Sequence, residues 1–173
     1  MAPNKFLLKN LPRGSGFDGL AAVYPETDIS AMEVFSALLG ISAEFLSAIN
    51  SSLARHGTSQ ARFRLLLRLR RAGRRGLHPH ELAENLGIGR ASVTGLVDGI
   101  EREGLAKRLP FEGDRRSIMI LLTPKGTRFI DSLAPGRLRR IAELMSCLSA
   151  TERKTLTSLL DRINSNIPAF RKI

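Results

Sequence analysis

The sequence predicts a mainly α-helical fold of about six helices with a single two-stranded hairpin, and three observations carry that expectation. Apolar residues recur at spacings of three and four over most of the chain, the period of an amphipathic helix. The period breaks once, where Leu105 to Leu109 and Ser117 to Thr123 read as strands around the turn residues Pro110 and Gly113. Just before that break, two short helical segments are separated by a lone Gly87. Helix, turn, helix, basic hairpin and helix in this order, within residues 79–123, make a winged helix-turn-helix.

Each element has its own local reason. Residues 1–29 hold Pro3, Pro12, Gly14, Gly16, Gly19 and Pro25 without a sustained period, and read as an N-terminal extension pinned by Phe6, Leu7, Leu8 and Phe17. Residues 30–57 form a first helix closed by Gly57. Phe35, Leu38, Phe45 and Ile49 mark one stripe on it, and Leu39, Leu46 and Leu53 another. A face this wide suits either an ordinary core helix or a helix from a second subunit. Thr58 or Ser59 caps the next helix, residues 60–72, with Phe63, Leu66, Leu67 and Arg70 on one side and arginines around the rest.

Pro79 suits a first helical position because its missing N–H would be unpaired there anyway. That helix ends at Leu86, and Gly87 supplies the left-handed turn. The following helix runs from Arg90 toward Gly104, with Val93, Leu96, Val97 and Ile100 on its apolar face and Arg90, Ser92 and Thr94 opposite. Short donors and acceptors there match base edges in a major groove. The hairpin tip carries Arg115 and Arg116. Thr123-Pro124 opens another helix, in which Pro135-Gly136 predicts a kink or break. Ser149 to Glu152 is a capping box opening a last helix, striped by Leu156, Leu159, Leu160, Ile163 and Ile167 and ended by Pro168. The expected divisions are 1–29 extension, 30–57 dimerisation helix, 58–123 DNA-binding unit, and 124–173 helices completing the dimerisation region.

Charge agrees with that layout. Residues 1–54 carry three Lys/Arg and five Asp/Glu, residues 55–116 fourteen and seven, and residues 117–173 ten and four. The net charge of +11 therefore builds up from the reading unit onward, which points to a polyanion. At 43% hydrophobic and 25% charged residues, the chain is globular and about one domain in length. Cys147 is the sole cysteine, so an intrachain disulfide is impossible and a reducing compartment fits. The apolar run at residues 6–8 is too short for a signal peptide or a membrane span, so a cytoplasmic protein is expected.

Four segments carry a resemblance to the MarR family of bacterial transcription regulators: ELAENLGI, SVTGLVDGIEREGL, the D-R-R-S tip and LTPKG. The resemblance spans roughly residues 30–167. It implies an obligate homodimer of six-helix subunits with a two-stranded wing. It implies base contacts from Ser92 and Thr94, and a minor-groove arginine, Arg116, held by Asp114. It also implies a pocket for a small aromatic acid, with Phe45, Ile49, His56, Phe63 and Phe129 as candidate walls. One departure is Gly95, where the family commonly has Arg after the V-T pair; Arg90 would have to supply that contact or it is missing. A second glycine, Gly99, follows one turn on.

Other chemistry lacks support. No phosphate-binding glycine loop, nucleophile elbow or HExxH occurs, so neither an enzyme nor a cofactor is expected. His78 and His80 make an H-x-H pair with few acids close by, which reads as a poor helix cap rather than a metal site. Cys147 reads as a small buried hydrophobe rather than a redox sensor. The expected function is a sequence-specific DNA-binding transcription regulator, a repressor released by a small molecule, with a palindromic double-stranded operator and a second copy of the chain as partners. The alternative is a winged-helix module that binds RNA or protein and has no regulatory ligand.

Overall fold

The fold is that of a computed structural model, which describes residues 17–111 and 114–171, without the side chains of residues 18, 20, 21 and 114–116. The expected anchors Phe6, Leu7 and Leu8 lie outside the described residues. The chain divides into two compact units, Met1–Arg64 and Leu65–Ile173.

In the first unit, a short helical stretch Asp18–Val23 precedes α1, Ile29–Ala54. Asp28 caps α1, accepting hydrogen bonds from the Ala31 N–H at 3.0 Å and the Ser30 hydroxyl at 2.8 Å. Those two donors, the Ala31 bond first, hold its carboxyl below the usual carboxylate range. Gly57 turns the chain with φ of 65°, and Ser59 accepts from the Arg62 N–H to open α2, Gln60–Ala72. Of the two residues read as possible caps, Ser59 is the one that acts; Thr58 is buried. Only Ser36, Gly40 and Leu53 of α1 are buried, while Val34, Phe35, Ile41 and Leu46 stand exposed.

The second unit has a closed apolar core. Leu65, Leu66 and Leu69 of α2 are fully buried and Phe63 is buried too, so the interior keeps Phe63 and Leu66 of the expected face and adds Leu65 and Leu69. Leu67 is half-buried and Arg70 is exposed, where its Nε donates to Asp131 at 2.8 Å. After a 3-10 turn at Gly73–Arg75, Gly76 adopts φ of 67° and sits where a Cβ would lie 2.7 Å from the Ile120 carbonyl oxygen. Leu77 then exchanges backbone hydrogen bonds with Ile120 at 3.0 and 2.9 Å.

Next come α3, Pro79–Leu86, and α4, Arg90–Arg102. Strands β1, Ala106–Phe111, and β2, Asp114–Leu122, form an antiparallel pair registered Ala106 to Leu122 and Leu109 to Met119. The strands run further toward the tip than the sequence suggested: Pro110 pairs with Ile118, and the register shifts between Pro110 and Phe111. Strand β1 pairs on one side only, so a proline on it loses no ladder bond where its nitrogen faces outward.

Helix α5, Pro124–Leu144, is capped by Thr123, whose Oγ1 accepts from the Gly126 N–H at 3.0 Å and donates to the Gly104 carbonyl at 2.7 Å. It runs unbroken through Pro135, so of the expected kink or break the break does not occur. One proline removes one rung, and the rungs on either side keep the helix continuous. After a turn at Met145–Cys147, the Ser149–Glu152 capping box opens α6, Ala150–Phe170. Pro168 lies within α6 rather than ending it, near the terminus where few rungs remain to be lost.

Candidate nucleic-acid interface

The reading unit is set by a glycine and a capping glutamate. Gly87 takes the left-handed conformation, φ 65° and ψ 38°, and its N–H returns to the Ala83 carbonyl at the end of α3. The chain then turns through Ile88, whose N–H also reaches the Ala83 carbonyl at 3.2 Å, into α4. Val93, Val97 and Ile100 are buried in the unit's core, as are Leu82 and Leu86 of α3. This fixes the roll of α4 about its axis. Arg90, Ser92, Thr94 and Gly95 are all exposed as a consequence. The Thr94 hydroxyl donates to the Arg90 carbonyl at 3.1 Å, which orders the side chain and leaves its lone pairs to accept.

At the start of α3, His78 is the N-cap, but its ring is committed elsewhere. Its Nδ1 lies 3.0 Å from the Ile118 carbonyl oxygen and 3.1 Å from the Ser117 hydroxyl, on β2. The ring stacks on His80 with centroids 5.3 Å apart and meets Phe111 edge-on at 5.4 Å. Glu81 does the capping, accepting the His78 N–H at 2.8 Å while its other oxygen takes Arg75 at 2.9 Å. The His78 N–H, then the Arg75 charge, hold the Glu81 carboxyl below its ordinary range.

The hairpin is tied to α4 by Arg108. Its Nη2 reaches Asp98 at 2.5 Å, its Nη1 pairs with Glu101, and its backbone N–H donates to the other Glu101 oxygen at 3.2 Å. The Asp98 hydrogen bond is the largest of several effects that hold the guanidinium further in its charged form. Reading the sequence did not find this triad. The available signal was two acids, three residues apart, on a helix of a basic unit.

Asp114, Arg115 and Arg116 have their backbone in β2, and the expected Asp114–Arg116 brace falls on side chains outside the described residues. Of the pocket candidates, Phe63 is buried, Phe45, Ile49 and Phe129 are half-buried, and His56 is exposed. Cys147 is exposed rather than buried, because it sits in the turn between α5 and α6 with its Sγ toward the Leu144 carbonyl at 3.6 Å.

An exposed helix face with short polar side chains, beside a hairpin with a basic tip, defines a winged helix-turn-helix. The MarR family model matches residues 56–117. The chain is 29% identical over 164 residues to the HTH-type transcriptional repressor YetL of Bacillus subtilis, covering 95% of this chain and 98% of that one. It is 32% identical over 118 residues to YkoM, an uncharacterized HTH-type transcriptional regulator of the same organism, covering 67% of this chain and 75% of that one. The fold is similar to that of S. aureus MepR in a MepR–DNA complex, with a TM-score of 0.67 at 23% identity over 73% of this chain and 92% of that one. The chain belongs to the MarR family.

Proposed function

We propose that the chain works as a cytoplasmic homodimer that represses transcription from a palindromic operator and releases it on binding a small ligand. Binding DNA to regulate transcription is what the family membership and the named repressors among the relatives support. The observation that carries the reading is the face of α4. Arg90, Ser92 and Thr94 are turned outward by the burial of Val93, Val97 and Ile100, and the basic hairpin follows in the same unit. Ser92 and Thr94 meet base edges in the major groove, Arg90 meets a phosphate or base, and the hairpin arginines enter the flanking minor groove.

Exposed apolar seams support the dimer. On α6, Leu156, Leu159, Leu160, Ile163 and Ile167 are 39–45% exposed in the single chain. By length and composition, α1 is long and apolar enough to cross a membrane. Its counterpart α6 has an equally open seam but carries Glu152, Arg153, Lys154, Asp161 and Arg162, which suit no bilayer interior. A second subunit accounts for both helices at once. Two reading units related by a two-fold axis select a palindrome. The ligand reading rests on the family, and a small aromatic acid is the class to try first.

The test is genomic footprinting with the purified chain, followed by thermal shift against small aromatic acids. A protected palindrome whose binding is lost on Thr94→Ala supports the reading. Uniform binding to every sequence, or a preference for RNA, overturns it.

A further inference from the structure

We propose that Arg108 is a positioning residue that locks the wing to the recognition helix, so that both grooves are read at one fixed spacing. This rests on the reading above, in which α4 occupies the major groove and the hairpin the minor groove.

The geometry is that of a clasp. Asp98 and Glu101 lie three residues apart, on neighbouring turns of α4. One guanidinium spans both carboxylates, and the Arg108 backbone N–H adds a third bond to Glu101. The side chain and the chain path of β1 are therefore both fixed relative to α4. A planar fork serves two carboxylates at set angles, which a lysine point charge does not. The side chains are 32%, 48% and 35% exposed for Arg108, Asp98 and Glu101. Ion pairs this open to water add little net stability. What three such bonds supply is direction.

Direction matters because α4 and β1 meet at Gly104, a joint with φ of 68°. From Gly104 to the hairpin tip is about eight residues, or roughly 25 Å at strand rise. A swing of about 10° at the joint would move the tip by about 4 Å, more than the ~3.4 Å between successive bases of a strand. Backbone bonds from Leu77 to Ile120 and from Thr123 to Leu105 hold the hairpin's base. Arg108 lies further out and braces it against the reading helix. The clasp also offsets one of the two negative charges of Asp98 and Glu101, and so weakens their repulsion of phosphates from the helix that must approach them.

The experiment measures affinity for the duplex that the native chain selects from a random-sequence pool. Thr94→Ala and Arg116→Ala are each made in the native chain and in Arg108→Gln. In the native chain each should cost ten-fold or more. In Arg108→Gln, Arg116→Ala should cost less than two-fold, the preference for A·T pairs under the wing should vanish, and Thr94→Ala should keep its effect. Arg108→Lys keeps the charge without the planar fork and should not restore the Arg116 effect. Glu101→Gln, which removes half the clasp, should shrink the Arg116 effect part-way and serves if Arg108→Gln does not fold. A full Arg116→Ala penalty in folded Arg108→Gln and Glu101→Gln chains overturns the clasp alone. An Arg116→Ala change that costs nothing in the native chain overturns the groove assignment, and the clasp with it.

Discussion

The reading unit and the last helix show the same pattern in sequence and opposite outcomes in structure. Val93, Val97 and Ile100 on α4 recur at three and four and are at most 2% exposed. Leu156, Leu159, Leu160 and Ile163 on α6 recur in the same way and are 39–45% exposed. Periodicity identifies a helix with an apolar face; it does not say which chain covers that face. The core of α4 is covered by its own unit, so its chemistry is complete in one subunit. The seam of α6 is left open to solvent, and a second subunit is the proposed cover.

The largest expected effect separates those two fates. Leu160→Glu should raise the concentration for half-dimerisation by 100-fold or more. A buried leucine is worth about 1.5–3 kcal/mol, it is lost twice across a two-fold interface, and a charge is introduced besides. Leu82→Ala should instead lower unfolding stability by about 2–5 kcal/mol and leave that concentration unchanged. Sedimentation over a dilution series reads both. A native chain that stays monomeric at micromolar concentration breaks the comparison.

Gly126→Ala comes next. A Cβ at this position would lie 1.9 Å from the Leu105 carbonyl oxygen, a backbone atom that already accepts the Thr123 N–H at 3.0 Å. Neither partner is the movable end of a side chain, so α5 must shift away from Leu105. The cost expected is about 1–3 kcal/mol or more, measured by denaturant unfolding. Gly136, with nothing within 4 Å, gives the matched control: Gly136→Ala should be neutral or stabilising.

A smaller effect concerns acid. Glu81 in the reading unit and Glu152 on α6 both cap their helices and both have lowered carboxyl pKa values, each chiefly from a backbone N–H, of His78 and Ser149 respectively. A carboxyl lowered on folding stabilises above its unfolded value, about 4.3 for glutamate, and that contribution disappears as pH falls through the lower folded value. Glu81 is 22% exposed and also pairs with Arg75, whereas Glu152 is fully open to solvent. Glu81→Gln should therefore flatten the loss of melting temperature on acidification more than Glu152→Gln. Equal flattening would show that solvent screens the two alike.

Local signals in the sequence located most of these elements because capping is local chemistry. Pro79, Gly87, Thr123-Pro124 and the Ser149–Glu152 box each act within four residues, and all four sit where the sequence placed them. Contacts between elements were not legible. The Arg108 clasp joins a helix to a strand, and Arg70 pairs with Asp131 61 residues away, so neither leaves a period to read. The spacing on α2 finds Phe63 and Leu66 but not Leu65 and Leu69, for a related reason. In QARFRLLLRLRRA, leucines occupy more than one face, and only the packing of the second unit selects Leu65 and Leu69 for the interior. Strand ends were misplaced because Pro110 reads locally as a turn, although an outer strand edge tolerates it.

The smallest effect tests the reading face most directly. Gly95 and Gly99 lie one turn apart on α4, neither has a positive φ, and nothing lies within 4 Å of a Cβ built on either. Glycine in a helix interior costs up to about 1 kcal/mol relative to alanine, mostly as backbone entropy. Each alanine should therefore raise stability by up to about that amount, and the two gains should be alike. Binding should distinguish them. Gly95 is exposed beside Thr94, on the face proposed to enter the major groove, whereas Gly99 is half-buried. Gly99→Ala should leave operator affinity unchanged. If the backbone of α4 approaches the bases at Gly95, a methyl there must lower affinity several-fold while the free chain melts higher. Stability rising while binding falls is the signature of a close approach, since a folding defect would move both downward. If affinity is unchanged in both variants, the missing arginine at position 95 leaves an open gap in the interface, and Arg90 and Thr94 contact the DNA without help from that turn.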